Sequence, residues 1–440
     1  MATPEKKQSS IIAIITMMFL FAMIAFVTNL CSPMAIILKN NFHASNFLAQ
    51  VGNYGNFMAY LVMGIPAGML IQKYGYKKTS LMALVVGIVG LLIQWGSSTF
   101  NYDASGMIGF VVYLVGAFIS GLCMCMLNTV VNPMLNLLGG GGNRGNQLVQ
   151  TGGVFNSAAA VAVYIIMGSL IPNAEVATIS DATPALFAAL AIFIFALIVI
   201  SFTKIQEPQM GTATEENKND KWRAFSFRHF KLGILAIAVY GSVEVGPPTY
   251  ILQYLTTAPD AATPGLGMDV GYCGTLGAVY FIFMLIGRFL GGIIGGKVST
   301  KAMITTVSSV SILLVALGMI LPQTMTMEVP GIDYTKLCLV SKEVPVSIFC
   351  FLLVGLCASV MWGGIFNLAT EGLGKYTAIA SGAFMTMVAG FAVMVAIQGL
   401  VADLTGSFIA SFAVVLLSAA YILWYALIGS KNVNTDIPVE

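Results

Sequence analysis

Long apolar runs recur along nearly the whole chain, and they constrain its fold more than any other feature. A helix needs about 20 mostly apolar residues to cross a bilayer, because every backbone amide must find its partner inside the segment. Twelve segments meet that condition, at residues 11–37, 47–72, 79–98, 106–137, 147–170, 183–204, 231–255, 271–295, 301–322, 345–370, 377–402 and 407–428. The composition agrees: 58% of the residues are apolar and 9% charged, against roughly a quarter charged in an average soluble domain. A water-soluble core is excluded, and the expected fold class is an all-α polytopic membrane protein with twelve transmembrane helices. The first run is longer than a signal-peptide core and no small-residue cleavage pattern follows it, so it reads as a retained helix.

The few charges are placed unevenly. With the N-terminus on the cytoplasmic side, sixteen of the twenty basic residues fall on that side, Lys39, Lys336 and Lys342 fall opposite, and Arg288 lies within a span. That bias orients the chain with both termini cytoplasmic. The longest polar stretch, residues 206–230, separates six spans from six, giving an N-terminal bundle (1–205), a cytoplasmic linker and a C-terminal bundle (231–440). The halves echo each other: Gly68-Met-Leu-Ile-Gln-Lys-Tyr-Gly75-Tyr-Lys77 follows the second span, and Gly292-Ile-Ile-Gly-Gly-Lys-Val-Ser-Thr-Lys301 follows the second span of the second half. Two repeated helical bundles joined by a cytoplasmic linker suit alternating access around a site near the midplane.

Several function classes lose support at this point. A net charge of +2 without a basic run interleaved with aromatics argues against a nucleic-acid partner. With only His43 and His229, neither a histidine metal site nor a serine–histidine relay has its components, so no enzyme and no metal are expected. The seven cysteines fall mostly inside apolar runs and read as packing residues. Gly139 to Gly142 lacks the preceding strand and the following Lys-Ser or Lys-Thr of a phosphate loop, so ATP is not implied. Transport driven by a solute or ion gradient remains, with the lipid bilayer and a small molecule as partners.

The Gly68–Lys77 segment resembles the loop motif of the major facilitator superfamily, with Gln72 in place of an acid and Tyr76 in place of an arginine. Asn132-Pro133, Leu137-Leu138-Gly139, Gln150-Thr151 and Phe155-Asn156-Ser157 resemble the fourth and fifth helices of its fucose permease branch. Tyr240-Gly-Ser-Val-Glu244-Val-Gly, Gly287-Arg288-Phe-Leu-Gly-Gly292, Ile365-Phe366-Asn367-Leu and Gly372-Leu-Gly-Lys-Tyr-Thr377 extend the likeness through the second half. The resemblance implies two six-helix pseudo-repeats and cation-coupled import of a monosaccharide such as fucose, glucose or galactose, with a proton or sodium as the only cofactor. By alignment, the proton-carrying acids of that branch would stand at Ser32 and Asn128, and neither acid is present. A bacterial inner membrane and function as a monomer are the corresponding expectations. A proton-exchanging exporter of amphipathic compounds, a sugar uniporter and a non-transporting sugar receptor stay open.

Glu244 is the most informative residue, because an acid at the centre of a span costs about 2.5–3.5 kcal/mol on insertion scales. It is the candidate for cation coupling and for a sugar hydroxyl; the competing reading is a permanently protonated acid held by a neighbouring helix. Asn128 and Asn132 share a helix face at a spacing of four, and their amides can donate and accept as paired hydroxyls require. Gln150, Gly153 and Asn156 repeat the pattern on the fifth span. Asn29, Trp362 and Asn367 complete the substrate candidates, the tryptophan serving either to stack on a sugar or to pack. Arg288, near one end of its span, reads as a gate or as a side chain snorkelling to the surface, with Gly68, Gly75 and Lys77 as further gate or structural positions. Pro247 and Pro248 predict a bend in the seventh span beside Glu244.

Overall fold

The computed structural model describes residues 4–41, 51–97, 107–139, 142–170, 182–203, 221–295, 297–333, 338–373 and 376–434. Among them, eleven helices are long and apolar enough to cross a membrane, and the shorter apolar helix Gly55–Ile71 supplies a twelfth span. The first half comprises Pro4–Asn41, Val51–Gly96, Met107–Leu138, Gly142–Leu170 and Thr183–Phe202. Val51–Gly96 holds two spans. The connection expected between them is reduced to a kink at Gly75, whose φ of 81° and ψ of 173° leave the helical region in a sense that favours a residue without Cβ. Immediately beyond it, the Lys77 ammonium donates to the carbonyls of Ser201 (3.0 Å) and Thr203 (2.8 Å). It thus sits on the negative end of the sixth span's dipole.

The second half comprises Arg228–Glu244 with Gly246–Thr256 as span 7, Val270–Ile294, Thr300–Ile320, Val346–Thr370, then Thr377–Thr386 with Gly390–Thr405 as span 11, and finally Phe408–Ser411, Ala413–Trp424 and Tyr425–Gly429 as span 12. The 3₁₀ turn Lys221–Ser226 precedes span 7, which begins at Arg228, inside the stretch read from sequence as linker. Twelve crossings bring both described chain ends to one end of the bundle, called the terminal face below.

One element was not expected. Between spans 9 and 10, on the face opposite the termini, β1 (Thr326–Asp333) and β2 (Cys338–Pro345) form an antiparallel hairpin running from Thr326↔Pro345 to Asp333↔Cys338. A lone two-stranded hairpin is marginal in water, and this one is fastened to span 8. The Tyr272 hydroxyl donates to Val329 O at 2.8 Å, Lys342 Nζ sits 5.1 Å above the Tyr272 ring, and that ring fills the space where a Cβ at Gly331 would stand.

The halves meet along two helix pairs, span 5 against span 8 and span 2 against span 11. Small residues allow the approach. A Cβ on Gly64 would lie within 3 Å of Thr386, and one on Gly277 would strike the Tyr164 ring, the kind of close helix contact on which packing in lipid depends. Between the two seams lies a cavity.

Candidate functional site

The bend beside Glu244 follows from the chain's chemistry. Pro247 has no N–H for the carbonyl four residues back, that of Val243. The backbone leaves helical continuity at Val245, and the Tyr280 hydroxyl donates to the orphaned Val243 carbonyl at 2.8 Å. The broken span therefore ends its first segment on Glu244 and presents that carboxyl to the cavity, which is about 100 Å³ and lies between the halves.

Arg288 on span 8 reaches the same cavity, its Nη2 3.6 Å from Glu244 Oε1. Its Nη1 donates to Gly153 O (2.7 Å), Asn156 Oδ1 (2.8 Å) and Ser157 Oγ (3.0 Å), and its Nε to Ser359 O at 3.4 Å. The snorkelling reading is thus overturned: at 6% exposure the guanidinium turns into the bundle, because its acceptors converge there. Gly153 makes the room, since a Cβ at that position would stand 2.9 Å from Arg288 Cδ. An ion pair in such surroundings needs every remaining donor and acceptor satisfied, and removing one partner typically costs about 3–5 kcal/mol. The three phenols of Tyr60, Tyr240 and Tyr280 lie within electrostatic reach of the carboxyl.

Five of the eight substrate candidates line the cavity: Asn29, Asn128, Asn156, Glu244 and Trp362. Asn156 is held at both ends of its amide, Nδ2 donating to Phe21 O at 3.0 Å while Oδ1 accepts from Arg288, so it ties spans 1, 5 and 8 together. Asn128 Nδ2 donates to the Tyr60 hydroxyl at 2.7 Å, which leaves that hydroxyl's own proton for another acceptor. Trp362 stands edge-on to Phe384 and Phe391 at centroid separations of 5.8 and 6.1 Å, making an aromatic wall.

The other three lie elsewhere. Asn132 is one turn from Asn128 toward the terminal face, donates to Asn128 O at 3.0 Å and is absent from the cavity lining. Gln150 is buried beside Gly292, six residues from Asn156 and so about 9 Å along the helix. Asn367 is exposed on the terminal face and donates to Thr300 Oγ1 at 3.1 Å. It stands five residues from Trp362, about 140° around the helix, so the two do not share a face. Sequence reasoning in turn missed Tyr60 and Thr28. The Thr28 hydroxyl is buried at the cavity without a partner; a lone threonine or tyrosine in an apolar run carries no signal that separates lining from packing.

Sequence and fold comparisons agree with this architecture. A protein described as a glucose/galactose transporter from Brucella abortus (strain 2308) is 26% identical over 429 residues, covering 96% of this chain and 94% of that one. The L-fucose-proton symporter of Escherichia coli (strain K12) is 22% identical over 455 residues, covering 97% and 95%. The crystal structure of the transporter FucP in the outward conformation superposes with a TM-score of 0.71 at 19% identity, covering 96% of this chain and all of that one. That of a D-xylose-proton symporter gives 0.65 at 12% identity. The sequence model of the Major Facilitator Superfamily matches residues 17–396, most of the chain. This protein belongs to the Major Facilitator Superfamily.

Proposed function

We propose that the protein is a secondary transporter that imports a neutral monosaccharide by cation symport, working as a monomer in a bacterial inner membrane with both termini in the cytoplasm. The observation that carries this reading is the Glu244–Arg288 pair at the cavity between the halves. Arg288 belongs to the second half yet holds three acceptors on span 5 of the first. Titration of Glu244, or its coordination of sodium, changes what balances the guanidinium and so changes the bonds that close the seam between spans 5 and 8. The uncharged lining on spans 1, 2 and 4 and the aromatic wall on spans 10 and 11 suit a solute with hydroxyl edges and an apolar face. Relatives described as glucose/galactose transporters and L-fucose-proton symporters support the sugar. The basic residues Lys73, Lys77, Lys78, Lys297, Lys301 and Lys431, all on the terminal face, support the orientation.

The test is uptake of radiolabelled fucose, glucose and galactose into proteoliposomes under imposed proton or sodium gradients. Accumulation of one sugar under one gradient is expected, and Glu244→Gln should abolish accumulation while retaining counterflow exchange. Unchanged gradient-driven accumulation by Glu244→Gln would sink the coupling role. Failure of every sugar to move, even in exchange, would remove the substrate reading.

A further inference from the structure

Side chains of spans 2 and 4 form a hydrogen-bond chain whose direction the backbone fixes. Asn132 Nδ2 lies 3.0 Å from the Asn128 carbonyl and 3.4 Å from Asn128 Oδ1. A backbone carbonyl can only accept, so the nitrogen of Asn132, not its oxygen, faces it. That nitrogen holds Asn128 Oδ1 on its own side and leaves Asn128 Nδ2 to face Tyr60, to which it donates at 2.7 Å. Within the protein the Tyr60 hydroxyl is therefore an acceptor, and its own proton finds no acceptor among the described residues. Tyr60, Asn128 and Asn132 are all buried, and the first two line the central cavity.

Packing alone does not account for this chain. Asn132 Oδ1 is buried without a partner, and an amide oxygen left unpaired is less favourable there than an apolar side chain of the same size. What the Asn132 nitrogen supplies is direction. Were Asn128 free to turn its amide over, Tyr60 would donate to Asn128 Oδ1; with Asn132 in place, Tyr60 meets an N–H instead. The donors run from Asn132 to Asn128 to Tyr60, each bond polarising the next, and the chain ends on an O–H at the cavity.

We propose that Tyr60 is a substrate-binding residue that donates its phenolic proton to one oxygen of the sugar, either a hydroxyl or the ring oxygen. Asn128 and Asn132 are the positioning residues that keep it a donor. The assignment rests on the reading of the protein as a sugar transporter and sharpens its specificity. The group that meets span 2 must be an acceptor, so an ammonium, which brings only donors, does not fit that place.

The experiment measures equilibrium binding to the purified full-length protein of fucose, glucose and galactose. The sugar that binds is then compared with its monodeoxy analogues and with the carbocyclic analogue that lacks the ring oxygen. Tyr60→Phe keeps the ring beside Phe57 and removes only the hydroxyl. It should weaken the parent sugar by about five- to tenfold and bind one analogue as well as the wild type does, namely the one without the oxygen that Tyr60 reads. Asn132→Leu, outside the cavity lining, removes an unpaired acceptor along with the donor and so tests the chain even where Tyr60→Phe lowers the Tm. It should weaken binding several-fold through that same oxygen, whereas a merely structural asparagine would weaken every analogue alike. Wild-type affinity in either variant, or an equal loss for all analogues, overturns the proposal and leaves the sugar reading standing. Failure of all three sugars to bind the wild type removes the sugar reading, and this assignment with it.

Discussion

The two walls of the central cavity are built from different chemistry. The first half contributes Thr28, Asn29, Tyr60, Asn128 and Asn156, all uncharged, with Phe21 and Phe57, whereas the second contributes both charges, Glu244 and Arg288, with the aromatic rings of Phe281, Trp362 and Phe391. Ionic chemistry and uncharged hydrogen bonding thus sit on opposite sides of the seam, and Arg288 joins them by reaching across it. The position where the family resemblance calls for an acid on the fourth span is Asn128, which faces this cavity as an amide. A chain without that acid can still place a titratable group at the midplane, provided it stands on the other wall with a counter-ion.

Substitutions that unbalance the charged wall should have the largest effect. Arg288→Met leaves Glu244 without its counter-ion and should destabilise the protein by about 3–5 kcal/mol, seen as a lowered Tm and loss of gradient-driven uptake. The double variant Glu244→Gln/Arg288→Met should recover most of that stability but not the uptake. If the double variant is no more stable than Arg288→Met, the pair is not the unit that the 3.6 Å approach implies.

The aromatic side of the same wall comes next. Trp362→Ala removes a ring from the cluster with Phe384 and Phe391 and should cost about 3–5 kcal/mol of stability as a large-to-small change. Trp362→Phe should keep the fold and raise the KM for sugar, and an unchanged KM would make the ring packing alone. On the uncharged wall, Asn128→Ala removes the 2.7 Å bond to Tyr60, a loss of about 1 kcal/mol. That loss should appear as a small fall in Tm, and removal of the amide from the cavity lining as a several-fold weaker substrate affinity in equilibrium binding. Asn367→Ala is the smallest: remote from the cavity, it should leave uptake within error of the wild type, and a large defect would mean that the terminal face of span 10 takes part in transport.

The contrast between walls also marks where reading residues in order runs out. Asn128 and Asn132 satisfy the same spacing argument, and only one of them reaches the cavity. The difference is their depth along span 4, which depends on where the opposing spans place the void. Trp362 and Asn367 are candidates on the same span, and the helical twist sends them to different faces. Glu244 and its bend were legible because an acid and a proline pair inside an apolar run each break a local rule.

What the sequence determined by itself is what the bilayer demands of each segment separately: twelve crossings, one charge-rich face, a helix broken at Pro247-Pro248 and an acid that needs a partner. Apolar length and backbone self-satisfaction are local requirements. Tertiary structure alone decided that the partner is Arg288 rather than solvent, that Gly153 clears its path, that Lys77 clamps the end of span 6, and that residues 326–345 fold as a hairpin on Tyr272. Each of these depends on groups brought together from distant parts of the chain, and the direction a side chain takes is set by the acceptors and voids that neighbouring helices supply.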